Sequence, residues 1–210
     1  MFPPTPPKGA DPRMYFFLFL LTLGTTLGYQ GWTLLYTNFA VESAHLSAAD
    51  NGLVQSLREV PGLLGFLIIP ILLVMKEHRV AAFAAIATGL GTALTGFFPS
   101  LAPVILTTLL MSFGFHFFEA VNQSLLLQYF DVRTTPLVMG KLRGLAAGGS
   151  LAASIFVFFC AGMLSYTTMF LIVGALCMAT GVWGLFLDPT NKDLPVQSKK
   201  MVLRRKYWLF

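Results

Sequence analysis

PVILTTLLMSFGFHFFEAVNQSLLLQY, residues 103–129, is the stretch on which the reading of this chain turns. A helix crosses the hydrocarbon of a bilayer with about 20 mostly apolar residues, and this run is longer. Its middle, FGFHFFEAVNQ (residues 113–123), nevertheless holds His116, Glu119, Asn122 and Gln123. The chain is sparing with such residues elsewhere. Of its 210 residues 56% are hydrophobic and 11% charged, whereas a soluble domain carries roughly a quarter charged. Mean hydropathy is +0.73. So few charges cannot clothe a globular surface in water, and the solvent implied is lipid.

Six segments reach spanning length: residues 14–37, 53–75, 80–98, 103–129, 145–164 and 169–187. Runs such as FFLFLLTLG and LGFLIIPILLV do not alternate, which excludes the short alternating strands of a membrane barrel. The expected fold is an all-α integral membrane bundle of six helices over 14–187. The breaks carry turn chemistry. SAHLSAADN offers Ser47 or Asp50 as a cap for the second helix, and KEHR, FPSLAP, DVRTTPLVMGKLR and SYTT separate the later spans. The first apolar run exceeds the roughly 7–15-residue core of a signal peptide and lacks a clear cleavage site, so it reads as a retained span. Residues 1–13, MFPPTPPKGADPR, read as a disordered cytoplasmic tail.

Charge fixes the expected orientation. With the N-terminus inside, every Lys and Arg except Arg58 falls in the tail, an inner turn or the C-terminal segment 188–206. The positive-inside rule then places both termini in the cytoplasm. The formal charge of +5 is explained by topology, with no call for nucleic acid. Cys160 and Cys177 lie apart in apolar runs, and no His or Cys cluster has metal-ligand spacing, so neither a metal nor a cofactor is expected. Nucleophile elbows, phosphate loops and HExxH are missing too, and the chain does not read as an enzyme.

Arg58, Glu59, His116 and Glu119 are the ionisable residues inside the spans. A charged side chain at a helix centre costs about 2.5–3.5 kcal/mol on insertion scales, so such groups face a bundle interior, a cavity or a partner. Each is open to two readings: a substrate or proton pathway, or a contact that fixes packing. Ser112, His116, Glu119 and Gln123 fall at i, i+4, i+7 and i+11, one stripe of a helix, with phenylalanines around the rest. Glu119 and His116 are the candidates for proton coupling. Thr22, Thr26, Tyr29, Thr33 and Tyr36 form a similar stripe in the first span, with Gln30 beside it. Arg58, Glu59, Asn122, Gln123, Tyr29 and Gln30 are the candidates for a substrate cavity. Arg58 and Glu59 are adjacent and about 100° apart, so each is expected to meet a different neighbour. Pro61 should kink the helix just after them. Gly140, Gly144 and Gly148 repeat the GxxxG spacing that lets helix backbones approach, marking span five as an interface helix.

Six spans, polar spans one and four, and a small-residue span five together resemble the N-terminal half of a major facilitator superfamily transporter. The resemblance covers about residues 14–187, including ADNGLVQSLREVPGLLG. It implies two inverted three-helix repeats, helices one and four lining a cavity, helices two and five meeting another half, and helices three and six facing lipid. It also implies secondary active transport of a small solute by alternating access, with Glu119 titrating. Two departures stand out. The family's GxxxDRxGRR loop is replaced by PILLVMKEHRV, where Lys76, His78 and Arg79 keep basic character and Glu77 is a displaced carboxylate. After the basic linker, YWLF at 207–210 looks like the start of a seventh helix, so the chain reads as a half-transporter. Its partners would be lipid, the substrate, and the missing half or a second copy, in a bacterial-type plasma membrane. The alternative is a membrane interaction or assembly protein, or an inert half, that transports nothing.

Overall fold

The computed structural model describes residues 5–190, and those residues are helical almost throughout. The helices are α1 (Pro12–Glu42), α2 (Ala48–Leu63), α3 (Ile68–Val74), α4 (Glu77–Thr95), α5 (Leu101–Tyr129), α6 (Thr135–Cys160) and α7 (Tyr166–Phe186). Most of the expected linker at 188–206 and the expected helix start at 207–210 lie outside the described residues.

Local chemistry sets the boundaries. Asp11 accepts from the backbone N–H of Arg13 and Met14, and Pro12 takes the first helical position, where its missing N–H costs nothing. Residues 5–11 therefore form an ordered turn, with Ala10 N–H bonded to Pro7 O, where the sequence suggests a loose tail. Ser47 and Asp50 make a reciprocal capping box at α2. The second expected span is broken. Pro61 sits buried inside α2, a 3₁₀ turn follows at Gly65–Leu67, and α2 meets the next helical stretch at 46°. The fifth helix begins at Thr135, well before the expected 145, because Pro136 occupies its first turn.

Among the described residues, three helices, α5, α6 and α7, are long and apolar enough to cross a membrane, and there are four if the bent α2–α3 pair counts as one span. The other two fall short through composition. α1 has 31 residues but spends many on threonine, glycine, tyrosine and Gln30. α4 opens with Glu77, His78 and Arg79.

The back of the bundle is held by glycines. A Cβ on Gly89 of α4 would lie 2.5 Å from Gly174 O of α7, and a Cβ on Gly174 would lie 2.5 Å from Gly89 O. Each backbone occupies the space the other's side chain would need. Gly91 stands likewise against Met111 N of α5, at 2.3 Å from its would-be Cβ, and Gly114 of α5 against Thr88 N, at 2.4 Å. Gly24, Gly28 and Gly31 of α1 face Thr180, Cys177 and Val173 of α7. Thr95 and Thr107 hydroxyls bond across α4 and α5 at 3.1 Å. The pairs of residues in contact run in opposite order, so α4 is antiparallel to α5 and α7, and α1 to α7.

Much of the contact pattern among the helices is kept when α1–α4 are exchanged for α5–α7, the α1–α4 packing aside. α1 packs on α6 and α7, α5 packs on α2 and α4, and α4 and α7 pack on each other. The front helices α1 and α5 meet only along a short stretch. Two apolar clusters fill the interior, one around Phe17, Leu21, Ala81 and Val121 and the other around Trp32, Phe39, Met111 and Phe170.

Among the described residues, Gly140, Gly144 and Gly148 pack against no other helix, since no atom lies within 4 Å of a Cβ built on any of them. Gly91→Val should therefore destabilise the bundle by about 1–3 kcal/mol or more through overpacking, read as loss of monodisperse protein in detergent. Gly144→Val should leave the melting temperature of the isolated chain unchanged.

Candidate functional site

The front of the bundle opens into a cleft of about 280 Å³ between α1, α5 and α6. Its polar lining comes from Thr22, Thr25 and Thr26 of α1, Glu119, Asn122 and Gln123 of α5, and Arg143 of α6. Phe115, Phe118, Leu126, Met139 and Leu142 supply the apolar walls. Helical spacing brings these residues to one place. Thr22 and Thr26 are one turn apart, as are Glu119 and Gln123, and α1 runs past α5 where neither buries the other's polar face.

Glu119, Gln123 and Arg143 are exposed on the open side of the cleft, and neither charged group makes an ion pair or hydrogen bond among the described residues. Two polar atoms of the wall are buried and without a partner: Thr22 Oγ1, on a residue only 7% exposed, and Asn122 Oδ1. Thr25 is satisfied within its own helix, donating to Leu21 O at 2.7 Å.

The stripe read along α5 divides in two. Glu119 and Gln123 face the cleft with Asn122. Ser112 and His116 face α2 instead: Ser112 is fully buried and donates to Arg58 O, while the His116 ring lies against Gly62, 3.1 Å from a Cβ built there. α5 crosses α2 at that level, and the break after Pro61 opens the space the imidazole fills. Tyr29 stacks on Phe115 with ring centroids 3.9 Å apart, forming a wall above the cleft. Gln30 is half-buried and does not line the cleft.

Arg58 and Glu59 correct the expectation that each meets a separate neighbour. Arg58 Nε and Nη2 both reach Glu59 Oε1, at 3.0 and 2.6 Å. The 100° between the residues fixes their Cβ directions only, and the long arginine stem closes the rest. The guanidinium also lies 5.8 Å over the Trp32 ring, an arrangement that favours a cation. Arg58 therefore pairs with Glu59 and not with Glu119.

At the end of the bundle that gathers the basic residues, the departed loop has its own contacts. Ser124 Oγ donates to Glu77 Oε1 at 3.1 Å, tying α4 to α5. His78 is buried edge-on against Phe17, at 6.3 Å between centroids. Burial pushes its pKa down, Asp188 opposes the shift, and Lys76 and Arg79 add to it.

Arg143 is the cleft residue that the sequence reading missed as a site, since DVRTTPLVMGKLR reads as a loop. The signal was present: Asp131, Thr134 and Pro136 spell a helix start. Asp131 accepts from Thr134 N–H, Thr134 Oγ1 and Arg133 N–H, which sets the entry of α6 and carries Arg143 into the wall.

An all-helical bundle with membrane-length apolar helices and a polar cleft on its open face is the architecture of a membrane transport protein. The sequence profile of the Major Facilitator Superfamily matches residues 18–209, and the chain belongs to that family. Its members are membrane transporters. No curated protein and no solved structure matches the chain.

The hydrogen bonds from Thr134 hold the Asp131 carboxyl below its ordinary pKa. Their stabilisation is complete above the unfolded value of about 3.9 and is lost as pH falls through the lower folded value. Asp131→Ala should lower the melting temperature at pH 7 and flatten its fall between pH 5 and about 3, measured by scanning fluorimetry across pH.

Proposed function

We propose that the chain is a six-pass bundle of two inverted three-helix repeats, with both termini cytoplasmic, that carries out proton-coupled secondary transport of a small solute. The observation that carries this reading is Glu119, an unpaired carboxylate in a cleft walled by amides and hydroxyls. A carboxylate facing lipid is costly, and one facing a watery pathway is not.

The contact pattern supports the inverted repeats: the packing of α1 on α6 and α7 corresponds to that of α5 on α2 and α4, and α4–α7 maps onto itself, while the α1–α4 packing has no comparable counterpart. Alternating helix direction supports six crossings, with α1 and α4 crossing in spite of their composition by turning polar residues inward. Every basic turn then falls at one end, which the positive-inside rule assigns to the cytoplasm.

The uncovered faces support a second bundle. The most apolar stretch of α6 is 17% buried, against 39% for α5 and for α7. α2, the turn after it and α3 expose Leu63, Phe66 and Val74 in order. A second six-helix bundle, in the same polypeptide or another copy, would cover these faces and close the cleft. Transport then proceeds by rocking of the two bundles around the cleft. Glu119 takes up and releases the proton, while Asn122, Gln123 and Thr22 hold the solute. Tyr29 and His116 support the site from its edge, and the Arg58–Glu59 pair lies toward the opposite end.

Two measurements test this reading. Alkaline phosphatase fused after His45 or Ser100 should be active, and fused after Arg79 or Arg133 inactive; the reverse pattern would invert the topology. In proteoliposomes loaded with a pH-sensitive dye and screened against small solutes, the transporter should couple proton entry to at least one solute, and Glu119→Gln should abolish that coupling without loss of insertion. Proton entry that survives Glu119→Gln would remove Glu119 from the mechanism.

A further inference from the structure

The cleft holds a second charge, Arg143, for which proton coupling alone gives no use. Tyr129 ends α5 and Thr135 begins α6, so Glu119 and Arg143 lie about 15 and 12 Å from the same end at 1.5 Å per residue. They stand at nearly one depth on two walls of one cavity, yet do not form an ion pair. Arg143 is exposed to the open cleft, and a guanidinium there without an ion pair among the described residues is free to take an anion.

Resting on the reading of this cleft as the transport site, we propose that Arg143 makes it a seat for a small monocarboxylate, bound when Glu119 carries a proton and released when Glu119 gives that proton up. The charge arithmetic is short. With Glu119 protonated, Arg143 leaves the cleft at +1, which one carboxylate neutralises. With Glu119 ionised, its own carboxylate competes for the guanidinium and the substrate anion is displaced. One proton and one anion thus move together, and the step is electroneutral. A single guanidinium presents paired N–H donors that fit a planar carboxylate, whereas a phosphate dianion would leave a charge uncompensated. Gln123, exposed on the same wall, offers an amide to polar groups on the rest of the solute. The volume of about 280 Å³ is at or below the low end for drug-sized ligands, which limits the solute to a small metabolite.

The other charged and titratable groups around Glu119 are accounted for. α2 contributes Arg58 and Glu59, which are paired with each other. α1 contributes Tyr29, which feels the charges of Arg58, Glu59 and Glu119. α5 itself contributes His116, turned toward Gly62, and α4 contributes Glu77, bonded farther along α5 to Ser124. Arg143 is the cation left to answer Glu119 across the cleft.

The test reads the sign of charge in the cleft without needing the substrate. Cys160 and Cys177 are replaced by serine, and Ala146→Cys, one turn from Arg143 on the cleft wall, is the reporter. Membrane vesicles of both orientations are treated with two methanethiosulfonates of similar size, the anionic sulfonatoethyl and the cationic trimethylammonioethyl reagents, with Lys8→Cys as an exposed control. The expected result, with Glu119→Gln mimicking the protonated state, is that the anionic reagent reacts about tenfold or more faster relative to the control, as a nearby unit charge implies. Arg143→Gln should erase that preference and Arg143→Lys should keep it. Equal rates for the two reagents, or a preference that survives Arg143→Gln, would overturn the proposal while leaving the cleft as a transport site. If neither reagent labels Ala146→Cys in either orientation while Lys8→Cys reacts, the cleft is closed to water, and the transport reading fails with it.

Discussion

Everything in this bundle depends on the contact of Gly89 with Gly174, where two backbones meet because neither carries a side chain. Each carbonyl oxygen lies 2.5 Å from the place where a Cβ on the other glycine would stand. Lipid tails are as apolar as leucine, so helices in a membrane gain little by burying apolar surface against each other. Close packing of small residues does that work instead. With α4 and α7 locked together at the back, Gly91 and Gly114 fix α5 on one side, and Gly24, Gly28 and Gly31 fix α1 on the other. The front pair is then held apart by what lies behind it. α1 and α5 barely touch, and the gap between them, walled by α6, is the cleft.

This division of labour explains why the polar residues are where they are. The back of the bundle has its hydroxyls satisfied locally or across helices: Thr88 donates to Ala84 O, Thr92 to Gly28 O, and Thr95 to Gly91 O. The cleft has not. Glu119 and Arg143 stand without an ion pair, and Thr22 and Asn122 keep buried atoms without partners. A polar group left unanswered in a bundle this economical with charge is a place for something that comes and goes. Placing the carboxylate and the guanidinium on different helices lets a relative motion of the walls change how closely the two charges approach.

Much of the fold was legible in the sequence. Apolar length located the helical segments, and turn chemistry marked the breaks between them. Ser47 was readable as a cap because a hydroxyl three residues ahead of an acidic side chain has a defined geometric use. Pro61 was readable as a break. Less legible was which glycines mattered. The GxxxG run of α6 reads as an interface, yet among the described residues those glycines meet no other helix. The pairs that close the bundle, Gly89 with Gly96 and Gly174 with Gly181, recur seven residues apart, two helical turns along one face, and do not announce a partner. The site was half legible. Spacing placed Glu119 and Gln123 together, but no spacing rule says where along α5 the neighbour changes from α2 to open cleft, so His116 was grouped with them. Arg143 was hidden because a basic, glycine-bearing stretch reads as a loop until its proline is recognised as a helix start.

The most direct measurement is a spin-label scan of α5 from Leu109 to Gln128 in lipid vesicles, comparing collisions with a water-soluble nickel chelate and with oxygen, which concentrates in lipid. The expected result is a helical period in which the nickel complex reaches labels at 119 and 123, while labels at 113 and 117 are shielded from it. If the label at 119 met oxygen and no nickel, Glu119 would face lipid, and the cleft would not be a path for any solute.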